Sequence, residues 1–258
     1  MRIQPIQSYG NIPTRRNNPP MFRSWEREVF STSKDTLLKE LKHRNDTSFF
    51  RDGRFWSSLA YYMLYKYRST DKVNVYNYAC SDGSESYSFL MTLIANWGIE
   101  NAEKFLPIKA MDYDSVAIEK AKSGIYKIRD YESDRIFKLT NEKADMFLDR
   151  YVVDNKILVI PKEILRNNVE FKVANILEDY KNIKPENSIV FARNFWPYLK
   201  QDAVDLVKKL ASQMKQNSTL VLGDYDIAGC KLNGLDLAEL LQDYGFKTPL
   251  ISHLIFEK

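Results

Sequence analysis

The stretch "KVNVYNYACSDGSESYSFLMTLIANWG", residues 72–98, decides the fold. In its first nine residues Val73, Val75 and Asn77 alternate, which predicts a strand; "SDGSES" is a turn, and "YSFLMTLIANWG" carries apolar residues at helical density. The unit recurs. "PIKAMDYD" (107–114) is a second strand, leading into the helix "SVAIEKAKSGIY". "NSIVFARNFW" (187–196) is a third, leading into "QDAVDLVKKLASQM", and "STLVLGDYD" (218–226) is a fourth. The ending "LAELLQDYGFKTPLISHLIFEK" adds a helix, a glycine turn and a last strand. Strand and helix in alternation predict an α/β fold, a mostly parallel sheet with helices on both faces.

Upstream, apolar residues at helical spacing over "SWEREVFSTSKDTLLKELKHR" predict one or two helices, and Phe55, Leu59, Tyr62 and Met63 continue the pattern over 51–68. Residues 1–23 differ in texture. Arg2, Arg15, Arg16 and Arg23 meet no acid before Glu26, and Pro5, Pro13, Pro19 and Pro20 break any periodicity. This is the composition of a solvated, disordered basic arm. The expected division is an arm over 1–23, a helical segment over 24–68 and an α/β domain over 69–258. Residues 127–174 interrupt the alternation with a helix and short strands around "DNK", and are expected to be an inserted subdomain.

The chain has 258 residues, 44% of them hydrophobic, and a formal net charge of +4. No run of 18 apolar residues suggests a membrane span, and the first residues lack the apolar core of a signal peptide. Cys80 and Cys230 are far apart and expected to be reduced, in keeping with a cytoplasmic chain. His43 and His253 have no partner at metal-ligand spacing, so neither a zinc site nor a Cys-His nucleophile pair is expected. The basic residues are not interleaved with aromatics, so a nucleic-acid partner is not expected. A monomer is the favoured state.

In open parallel sheets ligands bind at the carboxyl ends of the strands, where the first turn meets a helix N-terminus. That turn here, "ACSDGSES", has one glycine, Gly83, so a pyrophosphate-binding glycine fingerprint is absent. It is acidic instead, with Asp82 and Glu85, which suits a cationic ligand such as S-adenosylmethionine. Glu85 is also placed to offset a helix dipole. The second strand ends in Asp112 and Asp114. A carboxylate there accepts ribose hydroxyls in dinucleotide folds, and equally caps the following helix.

Five separated motifs carry a resemblance. "NDTSFFRD" (45–52) resembles N-x-T-x-F-F-R. "ACSDGSESYS" resembles a first turn ending G-E-E-P-Y-S, and "AMDYDSVAIEKAKSGIY" resembles A-S-D-I-D with its helix. "VEFKVANILE" resembles V-x-F-x-x-x-N-L-L, and "FARNFWPYL" resembles F-C-R-N-V-x-I-Y-F. In this order they are similar to the CheR-type protein-glutamate O-methyltransferases, S-adenosylmethionine enzymes that methylate chemotaxis receptors. The resemblance implies a Rossmann-like class I methyltransferase with a seven-stranded sheet. It implies S-adenosylmethionine as cofactor, S-adenosylhomocysteine as product, and as partner a protein with an exposed glutamate, such as a receptor helix.

Residue by residue, the resemblance places Asn45, Thr47 and Arg51 at the mouth shared by cofactor and substrate. Ala79, Gly83 and Glu85 fall in the first turn, with Glu85 facing the cofactor's amino-acid part. Asp112 takes the ribose, and Asn175 and Ile176 flank the adenine. Arg193 and Asn194 lie beneath the methyl group. Arg51 and Tyr198 are the expected catalytic pair. With residues 47–51 helical, Thr47 and Arg51 share a face. An ion pair of Arg51 with Asp46 or Asp52 is the simpler alternative.

The chain departs from the pattern at Ser84, Ser86, Trp196 and Pro197, and "GDYD" (223–226) stands in place of a G-H-S-E turn. Two other functions therefore stay open. One is methylation of a small acid or other small nucleophile, with Trp196, Asp224, Tyr225 and Asp226 as its pocket. The other is a non-catalytic S-adenosylmethionine-binding or interaction protein.

Overall fold

The computed structural model describes residues 4–5, 47–53, 55–199, 201–229, 231–232 and 235–258. Most of the basic arm, the helices expected over 24–44, Asn45 and Cys230 therefore lie outside the described residues.

The chain builds α1 (Phe55–Lys66), β1 (Asn74–Tyr78), α2 (Ser84–Ala102), β2 (Ile108–Asp112) and α3 (Ser115–Ser123). Then follow β3 (Tyr126–Ile128), α4 (Asp130–Leu139), β4 (Leu148–Val153), β5 (Lys156–Pro161) and β6 (Val169–Val173). The last part comprises β7 (Ser188–Ala192), α5 (Asp202–Gln213), β8 (Thr219–Val221), α6 (Asp224–Gly229), α7 (Leu237–Asp243) and β9 (Ile255–Glu257). No helix among the described residues is long and apolar enough to cross a membrane.

The main sheet has the order β9-β8-β7-β1-β2-β6, parallel throughout except for the β9–β8 pair. The chain builds outward from β1 to β6, returns, and builds the other half from β7. The reversal lies between β1 and β7, so the crevice at their carboxyl ends is where such a sheet takes a ligand. Among the described residues the sheet has six strands, not seven. The seventh is reduced to a single bridge, Lys247 with Glu257. Pro249 follows two residues later and has no N–H to extend a ladder.

Strand β1 is buried on both faces, as parallel strands are. Val75 joins one core with Phe49, Phe50, Trp56 and the apolar face of α2. Tyr76 and Tyr78 join the other with Leu206, Leu210 and Leu241 of α5 and α7. Asn77, read from the sequence as part of the alternation, is buried. Its amide donates to Ser86 Oγ at 2.9 Å, while its Oδ1 has no partner. Ser86 thus gives a buried strand amide a partner that a proline could not.

The helix expected over 51–68 begins only at Phe55. Residues 47–53 are irregular, with positive φ at Phe50 (52°), Asp52 (68°) and Gly53 (51°). The left-handed positions turn the chain so that Phe49 and Phe50 are both buried, where a surface helix would hold only one of two adjacent residues at the core.

The span expected as an insertion divides. β3, β4 and β5 form a second sheet that shares its core with the main one through Tyr126, Ile128, Leu148, Ile157 and Val159; β4 and β5 are a hairpin turning at Asp154–Asn155, both with positive φ as a two-residue primed turn requires. Gln4–Pro5 pairs with the other edge of β4. Residues 169–173, however, are β6 of the main sheet, in register with β2 over five pairs.

Candidate functional site

A cavity of about 640 Å³ opens at the carboxyl ends of β1, β2 and β7. Its walls include Thr47, Arg51, Ala79, Glu85, Asp112, Arg193, Asn194 and Tyr198, eight of the positions marked by the sequence and drawn from four separate segments of the chain.

Each is held by a local device. Asp112 ends β2 and is buried. Its Oδ2 accepts from Ser81 N at 2.8 Å and its Oδ1 from Asp114 N at 3.0 Å. Both carboxylate oxygens are oriented, and each keeps a lone pair for a further donor. Burial pushes the Asp112 carboxyl above the usual carboxylate range, against those backbone hydrogen bonds. Helix capping falls to Asp114, which accepts from Val116 N at 2.9 Å.

Glu85 stands in the first turn of α2. Burial pushes its carboxyl up, while the Arg193 guanidinium and, more weakly, Arg51 draw it back. Arg193 is buried at the end of β7. Its Nη1 donates to Glu85 Oε2 at 2.8 Å, its Nη2 to Asp52 Oδ2, and its Nε to the Leu222 carbonyl at 3.1 Å. Its guanidinium lies 4.9 and 5.1 Å from the ring centroids of Phe55 and Trp56. One cation therefore ties the loop 47–53, the start of α2 and the end of β8 together.

That loop is seated on α2 by hydroxyls. Thr47 Oγ1 meets Ser84 Oγ at 3.0 Å, and Phe50 N donates to Ser88 Oγ at 2.8 Å. Trp56 Nε1 donates to the Arg51 carbonyl at 2.6 Å, and Arg135 to that of Phe50 at 3.2 Å. Arg51 reaches the cavity wall from a pinned turn, not from a helix face shared with Thr47. Asp52, the acid beside it, bonds Arg193 through Oδ2.

On the opposite wall Asn194 has φ 61° and Tyr198 is 73% exposed. Buried Asp226 holds this region. Its Oδ2 accepts from Asn194 N at 2.5 Å and Gly223 N at 2.8 Å, and its Oδ1 from Trp196 N at 3.2 Å. Burial nonetheless pushes its carboxyl up.

Three marked positions lie elsewhere. Gly83 is not part of the wall. Its φ of 83° makes the turn, and a Cβ there would stand 2.5 Å from the Phe171 ring. Asn175 caps the short helix Ile176–Asp179 by accepting from Leu177 N at 3.0 Å, and Ile176 is buried in the core beneath the sheet. Asp82, the second acid of the first turn, points away and pairs with Lys120 at 3.3 Å. The pocket imagined for a small acceptor does not assemble. Trp196 is buried with its Nε1 on the Ala192 carbonyl at 2.7 Å, Asp226 is turned inward, and exposed Asp224 meets His253; only Tyr225 lines the cavity.

Sequence reading missed Asp52 and the structural part of Asp226. It also missed the wall positions Cys80, Ser81, Tyr113 and Phe195, while Asp114, named with Asp112 from the sequence, does line the cavity. Adjacency to a marked residue was the only signal for most of them.

A family model described as "CheR methyltransferase, SAM binding domain" matches residues 45–231. The chemotaxis protein methyltransferase of Salmonella typhimurium is 28% identical over 180 residues, covering 69% of this chain and 59% of its own length. That of Borreliella burgdorferi is 26% identical over 186 residues, covering 69% of this chain and 63% of its own length. The chain thus spans about three fifths of the length of the curated relatives it matches.

Proposed function

This chain belongs to the CheR methyltransferase family through its S-adenosylmethionine-binding domain, and on that premise we propose that it methylates carboxylates, with protein glutamate side chains as the acceptor. The observation that carries the reading is the convergence of Thr47, Arg51, Glu85, Asp112, Asn194 and Tyr198 on one cavity. The donor set fits the cofactor. Glu85 suits an ammonium, and Asp112, with both oxygens oriented, suits a pair of ribose hydroxyls.

Held by Glu85 and Asp112, S-adenosylmethionine would supply a methyl group activated for transfer to a carboxylate oxygen, the electron pair of the broken carbon–sulfur bond remaining on sulfur. A glutamate, with a reference pKa near 4.3, is already ionised at neutral pH. No general base is needed, and no proton moves. The chain's residues are left with positioning, which supplies about 7–11 kcal/mol in favourable cases. Arg51, on its pinned turn, holds the acceptor oxygen that does not react. Exposed Tyr198 and Tyr225, with ring centroids 6.3 Å apart, flank the acceptor's approach. An acceptor borne on a protein such as a receptor helix fits a mouth framed by exposed aromatic residues.

Tritiated S-adenosylmethionine incubated with this protein and a lysate of its source organism is expected to label protein. The label should leave as volatile methanol in mild base, the behaviour of a carboxyl ester. Label confined to small molecules, or stable in base, would reject protein carboxyl methylation. Arg51→Ala should lower transfer far more than S-adenosylhomocysteine affinity; equal losses would place Arg51 with the cofactor alone.

A further inference from the structure

Arg193 is shared by two carboxylates, and the sharing has an electrostatic result. A guanidinium paired with one carboxylate is neutral. Paired with two half-buried carboxylates, Asp52 and Glu85, it sets one positive charge against two negative ones, with Arg51 and Asp226 the other charged groups that act on Glu85. Asp52 and Glu85 take separate nitrogens, Nη2 and Nη1, and Nε is occupied by the Leu222 carbonyl. The Arg193 side chain is 0% exposed, so water does little to screen the arrangement. Glu85 binds Arg193 through Oε2 and also lines the cavity. The guanidinium also packs against the rings of Phe55 and Trp56, and with its three nitrogens bonded it is held in one orientation at the cavity wall.

We propose that Asp52 is a positioning residue for the cofactor's amino-acid end: by taking part of the charge of Arg193, it leaves the charge of Glu85 available to the cofactor's ammonium. This rests on the reading of the cavity as the S-adenosylmethionine site. Asp52 is suited to the task by its backbone. Its φ of 68° aims the side chain back at the end of β7, while Arg51, one residue earlier, lines the cavity. One turn thus presents Arg51 to the cavity and Asp52 to Arg193 behind it.

Asp52→Asn tests this with little disturbance of the fold, because asparagine is among the residues best tolerated at positive φ. Two ligands are compared by calorimetry or by competition: S-adenosylhomocysteine, and its analogue lacking only the α-amino group. In the unaltered protein the analogue is expected to bind more weakly, and equal binding would overturn the proposal. Asp52→Asn is expected to weaken S-adenosylhomocysteine on the order of tenfold while leaving the analogue unchanged, so that the preference for the amino group shrinks by the same factor. A purely structural role for Asp52 would weaken both ligands alike. An unchanged preference, whether both affinities hold or both fall, overturns the proposal. Failure of the unaltered protein to bind S-adenosylhomocysteine would instead overturn the cofactor reading on which it stands.

Discussion

Gly223 lies between β8 and α6 and opens the "GDYD" turn, with its α-hydrogen facing the side chain of Asn194. A Cβ at this position would stand 2.3 Å from Asn194 Oδ1, 2.6 Å from its Cγ and 2.8 Å from its Nδ2, against 3.4–4 Å for ordinary contact. Gly223→Ala therefore forces the Asn194 amide to move. The backbone at Gly223 does not require glycine, so the effect is steric alone. Overpacking costs about 1–3 kcal/mol. Here the displaced group is the end of a side chain beside a cavity, which sets the expected loss at the low end, about 1–2 kcal/mol. The cost should appear chiefly in binding, because the amide has nowhere to go but the cavity wall that Asn194 helps to form. Urea unfolding measures the first effect and calorimetry with S-adenosylhomocysteine the second. The double variant Gly223→Ala, Asn194→Ala removes the clash. It should recover the stability lost to Gly223→Ala relative to Asn194→Ala alone, a coupling of about 1 kcal/mol, without recovering affinity. If Gly223→Ala matches the unaltered protein in both stability and affinity, the packing of Asn194 described here is wrong.

Gly83→Ala combines a left-handed backbone with a Cβ 2.5 Å from the Phe171 ring, and should cost about 2–5 kcal/mol of stability, read as a fall in the urea midpoint. Trp56→Phe removes the hydrogen bond to the Arg51 carbonyl; a loss of about 1 kcal/mol is expected, with methyl transfer falling more than cofactor affinity as the Arg51 turn loosens. The pH dependence follows from Glu85, whose carboxyl burial raises. The ionised form holds the ammonium, so affinity for S-adenosylhomocysteine should fall on acidification at a pH above the ordinary range of glutamate, and Glu85→Gln should flatten that limb. For folding the sign is reversed: a carboxyl raised in the folded state binds its proton more tightly there, so its contribution to stability declines as pH rises from the unfolded pKa through the folded one. A binding profile flat down to pH 4 would refute this placement of Glu85.

The layered α/β fold was legible in the sequence because buried parallel strands and amphipathic helices write their periods into the chain: "NVYNY", "IKAMD" and "SIVFA" lie in the strands read from them. The shape of "NDTSFFRD" was not, since positive φ at Phe50 and Asp52 has no local signature; it is imposed by the burial of two adjacent phenylalanines and by Ser84 and Ser88 on a helix more than thirty residues away. The same limit applies at the edges. Val169–Val173 looked like part of an insertion because its partner, β2, is distant in sequence. Within the site, the residue types and their order were set by the sequence, from Thr47 and Arg51 to Asn194 and Tyr198. Which oxygen of Glu85 remains for a ligand, which acid Arg193 draws upon, and whether Asp226 lines a pocket or props a turn were decided only by tertiary structure. A hydrogen bond or ion pair depends on distances of a few ångströms between segments that the linear chain keeps far apart.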